Sequence, residues 1–240
     1  MFYWTQEMVD FMRDAAEYSA CYRLLADAIC ERLPPVRHVC DAGCGLGFLS
    51  CELAARFPLV TAADVSGRAL EVLRAQTAAR GISNVRILQT DLTCFTPPEP
   101  YEAMVFCMFG STRQTLRIAK RCCKGCIVMV KKGYTHHRFS LGEIPLRDET
   151  QHTAAQELRA LGIPFAMQTQ SFEMGQPLRS LEEAVRFFRL YSKDAPGAVT
   201  HEAVAARLVQ TGQRRFPLYL PQKKELALFT IQTDELGEDL

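Results

Sequence analysis

The stretch 40-CDAGCGLGF-48 decides how this chain is read. Gly43, Gly45 and Gly47 stand at alternate positions, after the apolar run 36-VRHVC-40 and before a helical pattern that puts Leu49, Leu53 and Ala54 on one face. A glycine-rich loop at such a junction lets a ligand approach the backbone closely, because glycine carries no Cβ. In a dinucleotide loop, G-x-G-x-x-G, the third glycine lets the helix pack close to the strand, so that its N-terminus faces a pyrophosphate. Counted from Gly43, that third position is Phe48, which opposes the close approach. Asp41, just ahead of the glycines, sits badly beside phosphates and suits a ligand carrying an ammonium or other positive charge.

Reading outward from the loop, strands and helices alternate. The strand 59-LVTAAD-64 is followed by a helix that Ser66 caps and Gly81 ends. The strand 85-VRILQ-89 leads into a proline-containing loop. The run 103-AMVFCMF-109 is apolar throughout, as expected of a strand covered on both faces. A helix over 112–123 precedes the fifth strand, 126-CIVMV-130. This rhythm predicts an α/β fold with a parallel, doubly wound sheet. Upstream, residues 5–33 read as one amphipathic helix, capped by Thr5 and stopped by Pro34 and Pro35. Downstream, helices over 149–161, 180–192 and 200–211 intervene among extended runs at 164–172, 216–220 and 225–232. The expectation is one domain over 1–240: an N-terminal helical cap at 1–35, a cofactor-binding core at 36–174, a helical insertion at 175–213, and final strands and tail at 214–240.

The motif D-x-G-x-G-x-G after a first strand resembles motif I of the class I S-adenosylmethionine-dependent methyltransferases. Asp64 ends the second strand, where that family places an acid for the ribose hydroxyls. In 90-TDL-92, Asp91 matches the acid that receives the adenine amino group, with Leu92 beside the ring. The run 101-YEAMVFCMFGS-111 matches the fourth strand, whose end lines the methionine part of the cofactor, with Glu102 where the family often has Asp. The resemblance is close over 36–132 and loose elsewhere. It implies a seven-stranded, mostly parallel Rossmann-like methyltransferase fold and S-adenosylmethionine as cofactor. The residues it implies around that cofactor are Asp41, Gly43, Cys44, Gly45, Gly47, Asp64, Val65, Asp91, Leu92 and Cys107. The [N/D]-P-P-[Y/F] segment of subclasses acting on amides or adenine amino groups is replaced by Cys107-Met108-Phe109-Gly110, which argues against those substrates. The Pro-Cys loop of the cytosine-5 enzymes is absent, since Phe106 precedes Cys107, so Cys107 is read as a lining residue and not a nucleophile.

Composition narrows the partners. The chain has 240 residues, 48% hydrophobic and 23% charged, with a formal net charge of +1. Such a balance supplies no global field toward nucleic acid or anionic membrane. No uninterrupted apolar run is long enough to span a bilayer, and the acidic start MFYWTQEMVDFMRDAAEY lacks the basic n-region of a signal peptide. Ten cysteines in a chain of this length read as buried small hydrophobes in a reducing, cytoplasmic setting. The cluster 122-CCKGC-126 has no second cysteine pair to complete a zinc site, so no metal is expected.

The methyl acceptor is less legible. A small molecule is expected, bound by a monomer or homodimer. The alternatives are an RNA or protein acceptor, suggested by the basic stretch 186-RFFRLYSK-193, and a non-catalytic binding or scaffolding protein, suggested by the lack of an obvious base. Tyr18 and Tyr22 lie on the N-terminal helix that in many relatives closes over the cofactor, with core packing as the alternative. His136, His137 and Tyr134 follow the fifth strand, at the carboxyl edge where such sheets bind ligands, and are the remaining candidates for catalysis. Lys131 and Lys132 read as a solvated strand end.

Overall fold

The computed structural model describes residues 3–134, 136–137, 139–145 and 149–237. Its centre is a seven-stranded sheet. β1 (His38–Ala42), β2 (Leu59–Asp64), β3 (Val85–Gln89), β4 (Tyr101–Cys107), β5 (Cys123–Lys132), β6 (Ala166–Glu173) and β10 (Lys223–Gln232) are arranged in the order β3-β2-β1-β4-β5-β10-β6. Only β10 runs against its neighbours, pairing antiparallel with both β5 and β6. The carboxyl ends of β1 to β6 and the start of β10 therefore share one edge. The chain reverses direction across the sheet between β1 and β4, which pair in parallel. Such a switch point leaves a crevice at the carboxyl edge.

Helices α3 (Phe48–Leu53), α4 (Gly67–Ala79), α5 (Thr112–Cys122) and α6 (Gln151–Ala160) connect the strands. Along β4, Met104 and Phe106 enter one core with Leu116, Ile118 and Phe229. Ala103 and Val105 enter the other, with Leu53, Leu228 and residues of the N-terminal helices. This period-two division buries both faces and explains why the β4 run is apolar throughout. Ser66 caps α4 by accepting from Ala69 N, and Gly81 follows it at φ +64°.

The predicted N-terminal helix is two: α1 (Gln6–Tyr18) and α2 (Cys21–Cys30), with Ser19 extended between them. The reason is that the two apolar stripes serve different surfaces. Leu25 and Ile29 of α2 pack on the main sheet. Phe11 of α1 packs instead with Phe187 and Phe188 of α7 (Leu181–Tyr191). One straight helix cannot present its faces to both.

The region read as a helical insertion also contains strands. β7 (Gln176–Leu178), β8 (Val209–Gln210) and β9 (Leu218–Leu220) form a second, three-stranded sheet in the order β7-β9-β8, packed with α1, α7 and the short α8 (His201–Ala205). The predicted helix over 200–211 stops early, and the predicted strand at 216–220 joins this small sheet, not the main one. Asp14 of α1 is buried and pairs with Arg179 at 2.7 Å and more distantly with Arg215 at 3.6 Å, tying α1 to the small sheet. No helix among the described residues is long and apolar enough to cross a membrane.

Candidate active site

The glycine loop lies at the carboxyl end of β1, in the switch-point crevice. Gly43, Gly45 and Gly47 have φ of +71°, +53° and +80°, in the left-handed region. At Gly43 a Cβ would lie 2.3 Å from the Phe109 ring, and at Gly47 the same distance from Leu73 Cδ1. Those two glycines are thus demanded by backbone conformation and by neighbours together. The end of β2 anchors the loop. Gly43 N and Cys44 N both donate to Ala63 O, at 2.8 and 3.0 Å. Gly45 N donates to Asp64 Oδ2 at 2.9 Å, while Ser66 N donates to Asp64 Oδ1 at 2.8 Å. Asp64 therefore sets the loop's shape, and each of its oxygens keeps further acceptor capacity.

Asp41 is buried beneath the loop and accepts a 2.5 Å hydrogen bond from Ser50 Oγ of α3. Burial pushes its carboxyl up to about 6, against the lowering effect of Ser50 and with a smaller raising effect of Asp64. Asp91 is exposed, and Oδ1 accepts from both Thr93 N at 2.9 Å and Thr93 Oγ1 at 2.6 Å, which holds its carboxyl below the usual range. Val65 is exposed beside Asp64. Leu92 is not: its side chain lies in the core with Met104 and Phe106. The expectation of Leu92 beside a ligand ring is corrected for its side chain, which core packing draws inward.

At the end of β4, Cys107 is half-buried, and desolvation pushes its thiol up to about 12, so it is protonated at neutral pH. Met108 follows at φ +51°, a left-handed conformation uncommon outside glycine, on the lip of the crevice. The next turn is held by Lys131, which is buried and not a solvated strand end as its sequence suggests. Its ammonium donates to Phe109 O at 3.3 Å, to Gly110 O at 2.9 Å and to the Glu149 carboxylate. Glu149 also accepts from Thr112 N at 3.0 Å. Desolvation lowers the Lys131 ammonium pKa, and Glu149 opposes that.

The candidates for substrate handling separate in space. Tyr22 stacks on Phe48, ring centroids 5.5 Å apart, against the helix that follows the glycine loop. Tyr18 stacks instead on Tyr219 of the small sheet at 5.0 Å, so its ring belongs to the α1 interface. Tyr134 packs on the same core cluster as Cys107 and Tyr22. His136 is exposed and bridges to Pro145 through its backbone. His137 exchanges a 2.9 Å hydrogen bond with Ser140 Oγ, and burial lowers its pKa, reinforced by Lys193 and Lys132. The helix α7 carries its aromatic stripe inward, with Phe187 and Phe188 buried, while Arg186 and Arg189 face outward. Among the described residues no group of His, Cys, Asp and Glu could hold a metal ion.

Sequence reading missed Trp4 and the aromatic cavity. The indole of Trp4 comes within 3.7 Å of the point where a Gly45 Cβ would lie, so the chain just before α1 covers the loop. The cavity, about 60 Å³ and partly open, lies at the carboxyl edge where α1, α2, α7 and the β6–β7 connection meet. Tyr22, Phe139, Phe187 and Tyr191 supply its aromatic wall. The only sequence signal was the aromatic content of the two helices, which reads equally as core.

Residues 39–133 match the family model described as a methyltransferase domain. No curated protein matches the chain. Among solved structures, the chain is similar to the YcgJ protein from Bacillus subtilis, at 12% identity over 87% of this chain and 97% of that one, with TM-score 0.54. It is similar to a putative methyltransferase from Bacillus halodurans at 16% identity, over 88% and 98%, with TM-score 0.54. It also resembles coclaurine N-methyltransferase bound to N-methylheliamine and SAH, at 15% identity over 93% and 81%, with TM-score 0.53. Residues 39–133, from β1 to β5, thus carry a methyltransferase domain, set in a seven-stranded sheet of the mostly parallel Rossmann-like methyltransferase fold.

Proposed function

We propose that this methyltransferase acts on a small molecule, received at the partly open aromatic cavity of about 60 Å³ between α1, α2 and α7. The observation that carries this reading is the cavity's place and lining. It opens at the carboxyl edge of the sheet, it is walled by aromatic rings, and Tyr22 links it to Phe48 and so to the loop. Enclosed apolar clefts with a few polar groups suit small ligands. A wider groove of about 560 Å³ lies between α1 and the helices α3 and α4, and Tyr22 and Phe48 line it as well. Its rim carries Glu52 and Arg80, already paired at 2.8 Å. The aromatic stripe of α7 lies in the core, where it cannot stack on nucleic-acid bases.

The cofactor supplies an activated methyl group on a positively charged sulfur. On this reading Asp64 accepts hydroxyls, and Asp91 accepts an amino group through Oδ2, the oxygen Thr93 leaves open. Asp41 offers a buried carboxylate to a cationic group, while Gly43, Cys44, Gly45, Gly47, Val65 and the Leu92 backbone line the path between. Cys107 contributes a neutral thiol to the wall. The protein's own work is to position and desolvate. Where the acceptor arrives protonated, Tyr134, His137 and His136 are the candidates after the fifth strand to take the proton, and Tyr134 packs on the same core cluster as Cys107.

Calorimetric titration with S-adenosylhomocysteine tests the cofactor site: wild type should bind, and folded Asp64→Ala should bind more weakly. Tritiated-methyl transfer into a cell extract, fractionated into small molecules, RNA and protein, tests the acceptor. Label confined to RNA or protein would overturn the small-molecule reading.

A further inference from the structure

The aromatic cavity contains hydrogen-bonding capacity that the fold leaves unused. The Tyr191 hydroxyl is buried and has no hydrogen-bond partner among the described residues, although its ring is packed tightly, 4.8 Å from Phe187 and 6.2 Å from Phe139. A buried orphan hydroxyl is costly and calls for a reason. Gln176, also lining the cavity, is 3% exposed. Its amide nitrogen donates to Phe11 O at 3.2 Å and to Pro177 O at 3.1 Å. Two carbonyl partners can be satisfied only by the NH2 end, so the amide orientation is determined, and Oε1 is the atom left to offer a ligand. The Tyr191 hydroxyl does not serve the fold through its oxygen. One buried, unpartnered hydroxyl and a glutamine amide among four rings describe a site for a flat molecule with a polar hydrogen.

Charge narrows the class further. Among the described lining residues none carries a carboxylate, and the one charged side chain is Lys224, whose ammonium lies 4.5 Å from the centre of the Phe139 ring. An ammonium ligand would find no anion there and would be desolvated beside a cation. The cavity, about 60 Å³, is well below the volume of drug-sized sites and open on one side, so it admits at most about one ring.

We propose that this cavity selects an uncharged aromatic alcohol, whose hydroxyl donates to Gln176 Oε1 or exchanges a hydrogen bond with Tyr191 Oη, making Tyr191 a specificity-determining residue. The inference rests on the reading of the cavity as the acceptor site, and its test is independent of methyl transfer. The full-length protein, saturated with S-adenosylhomocysteine, is titrated calorimetrically with three one-ring probes: phenol, anisole and benzylamine. Wild type should bind phenol about fivefold or more tightly than anisole, the equivalent of one hydrogen bond of ~1 kcal/mol, and should bind the ammonium compound weakest. Tyr191→Phe removes an oxygen that makes no bond in the fold, so it should melt no lower than wild type while the preference for phenol falls below about twofold. Ala15→Leu, which narrows the cavity from α1, should weaken all three probes together. The proposal is overturned if the ammonium compound binds best, if Tyr191→Phe keeps the full preference, or if no probe binds a protein that does bind S-adenosylhomocysteine. That last result leaves the cofactor site standing, whereas failure to bind S-adenosylhomocysteine removes the reading beneath.

Discussion

Protonating Asp41 should weaken cofactor binding, and by a predictable amount. The carboxyl is buried under the glycine loop and titrates at about 6, mainly through desolvation. If it faces the ammonium of the cofactor's methionine part, binding returns its pKa to ~3.9 or lower, the ordinary aspartate value. A proton must then leave whenever the ligand binds below pH 6. The apparent Kd rises by the ratio of the protonation factors of free and bound protein. At pH 7.5 that ratio is close to one, and at pH 5 it is roughly tenfold, or ~1.4 kcal/mol. Calorimetry with S-adenosylhomocysteine at pH 5.0, 6.0 and 7.5 should show this decline, and two buffers of different ionisation heat should show proton release at pH 5. Asp41→Asn should bind more weakly at pH 7.5 and lose the pH dependence. A wild-type Kd unchanged between pH 7.5 and pH 5, or a decline that persists in Asp41→Asn, would refute the assignment. The same burial fixes a stability effect without ligand. The folded pKa lies above the unfolded one, so this group's contribution is most favourable below ~3.9 and is lost as pH rises toward 6, by up to ~3 kcal/mol.

Other perturbations probe the frame around that site. Asp64→Ala should lower S-adenosylhomocysteine affinity by at least ~1.5–3 kcal/mol, the range for one charge-assisted hydrogen bond, because it removes ligand contacts and frees Gly45 N together; unaltered affinity in calorimetry would exclude the role. Gly47→Ala places a Cβ 2.3 Å from Leu73 Cδ1 at φ +80°, so urea denaturation should show a loss of ~2 kcal/mol or more. Lys131→Met leaves Glu149 beside an uncharged wall, and denaturation should register ~3 kcal/mol of destabilisation, partly recovered in Lys131→Met/Glu149→Gln. Asp14→Ala removes the anchor between α1 and Arg179, so limited proteolysis should cut within α1 sooner than in wild type, with the main sheet still protected.

Much of the architecture was legible because it rests on local rules. Apolar runs at 59–64 and 103–107, a serine cap at Ser66 and the terminating Gly81 each act within a few residues, and they appear where those rules place them. Failures came where a distant surface overrode a local preference. Residues 5–33 carry two helical stripes with one periodicity, and only the separate positions of the main sheet and α7 require the break at Ser19. Residues 216–220 look like any strand, and their partner β7 lies about forty residues upstream. Lys131 reads as a solvated cation until Glu149 and two carbonyls close around it.

The same division runs through the site. Asp41, the three glycines, Asp64 and Asp91 could be found in order along the chain, because each stands at or just beyond a strand end and β-α-β connectivity delivers successive strand ends to one edge. The sequence by itself thus determined the fold class, the methyltransferase domain and the type of cofactor. Only the tertiary structure decided what surrounds them. It brought Tyr22 onto Phe48 and Trp4 over Gly45, moved Tyr18 to the small sheet, and assembled Phe139, Gln176, Phe187 and Tyr191 from three separate stretches into one cavity. Burial and the absence of a partner exist only after packing, so the unpartnered Tyr191 hydroxyl could be read only in the folded chain.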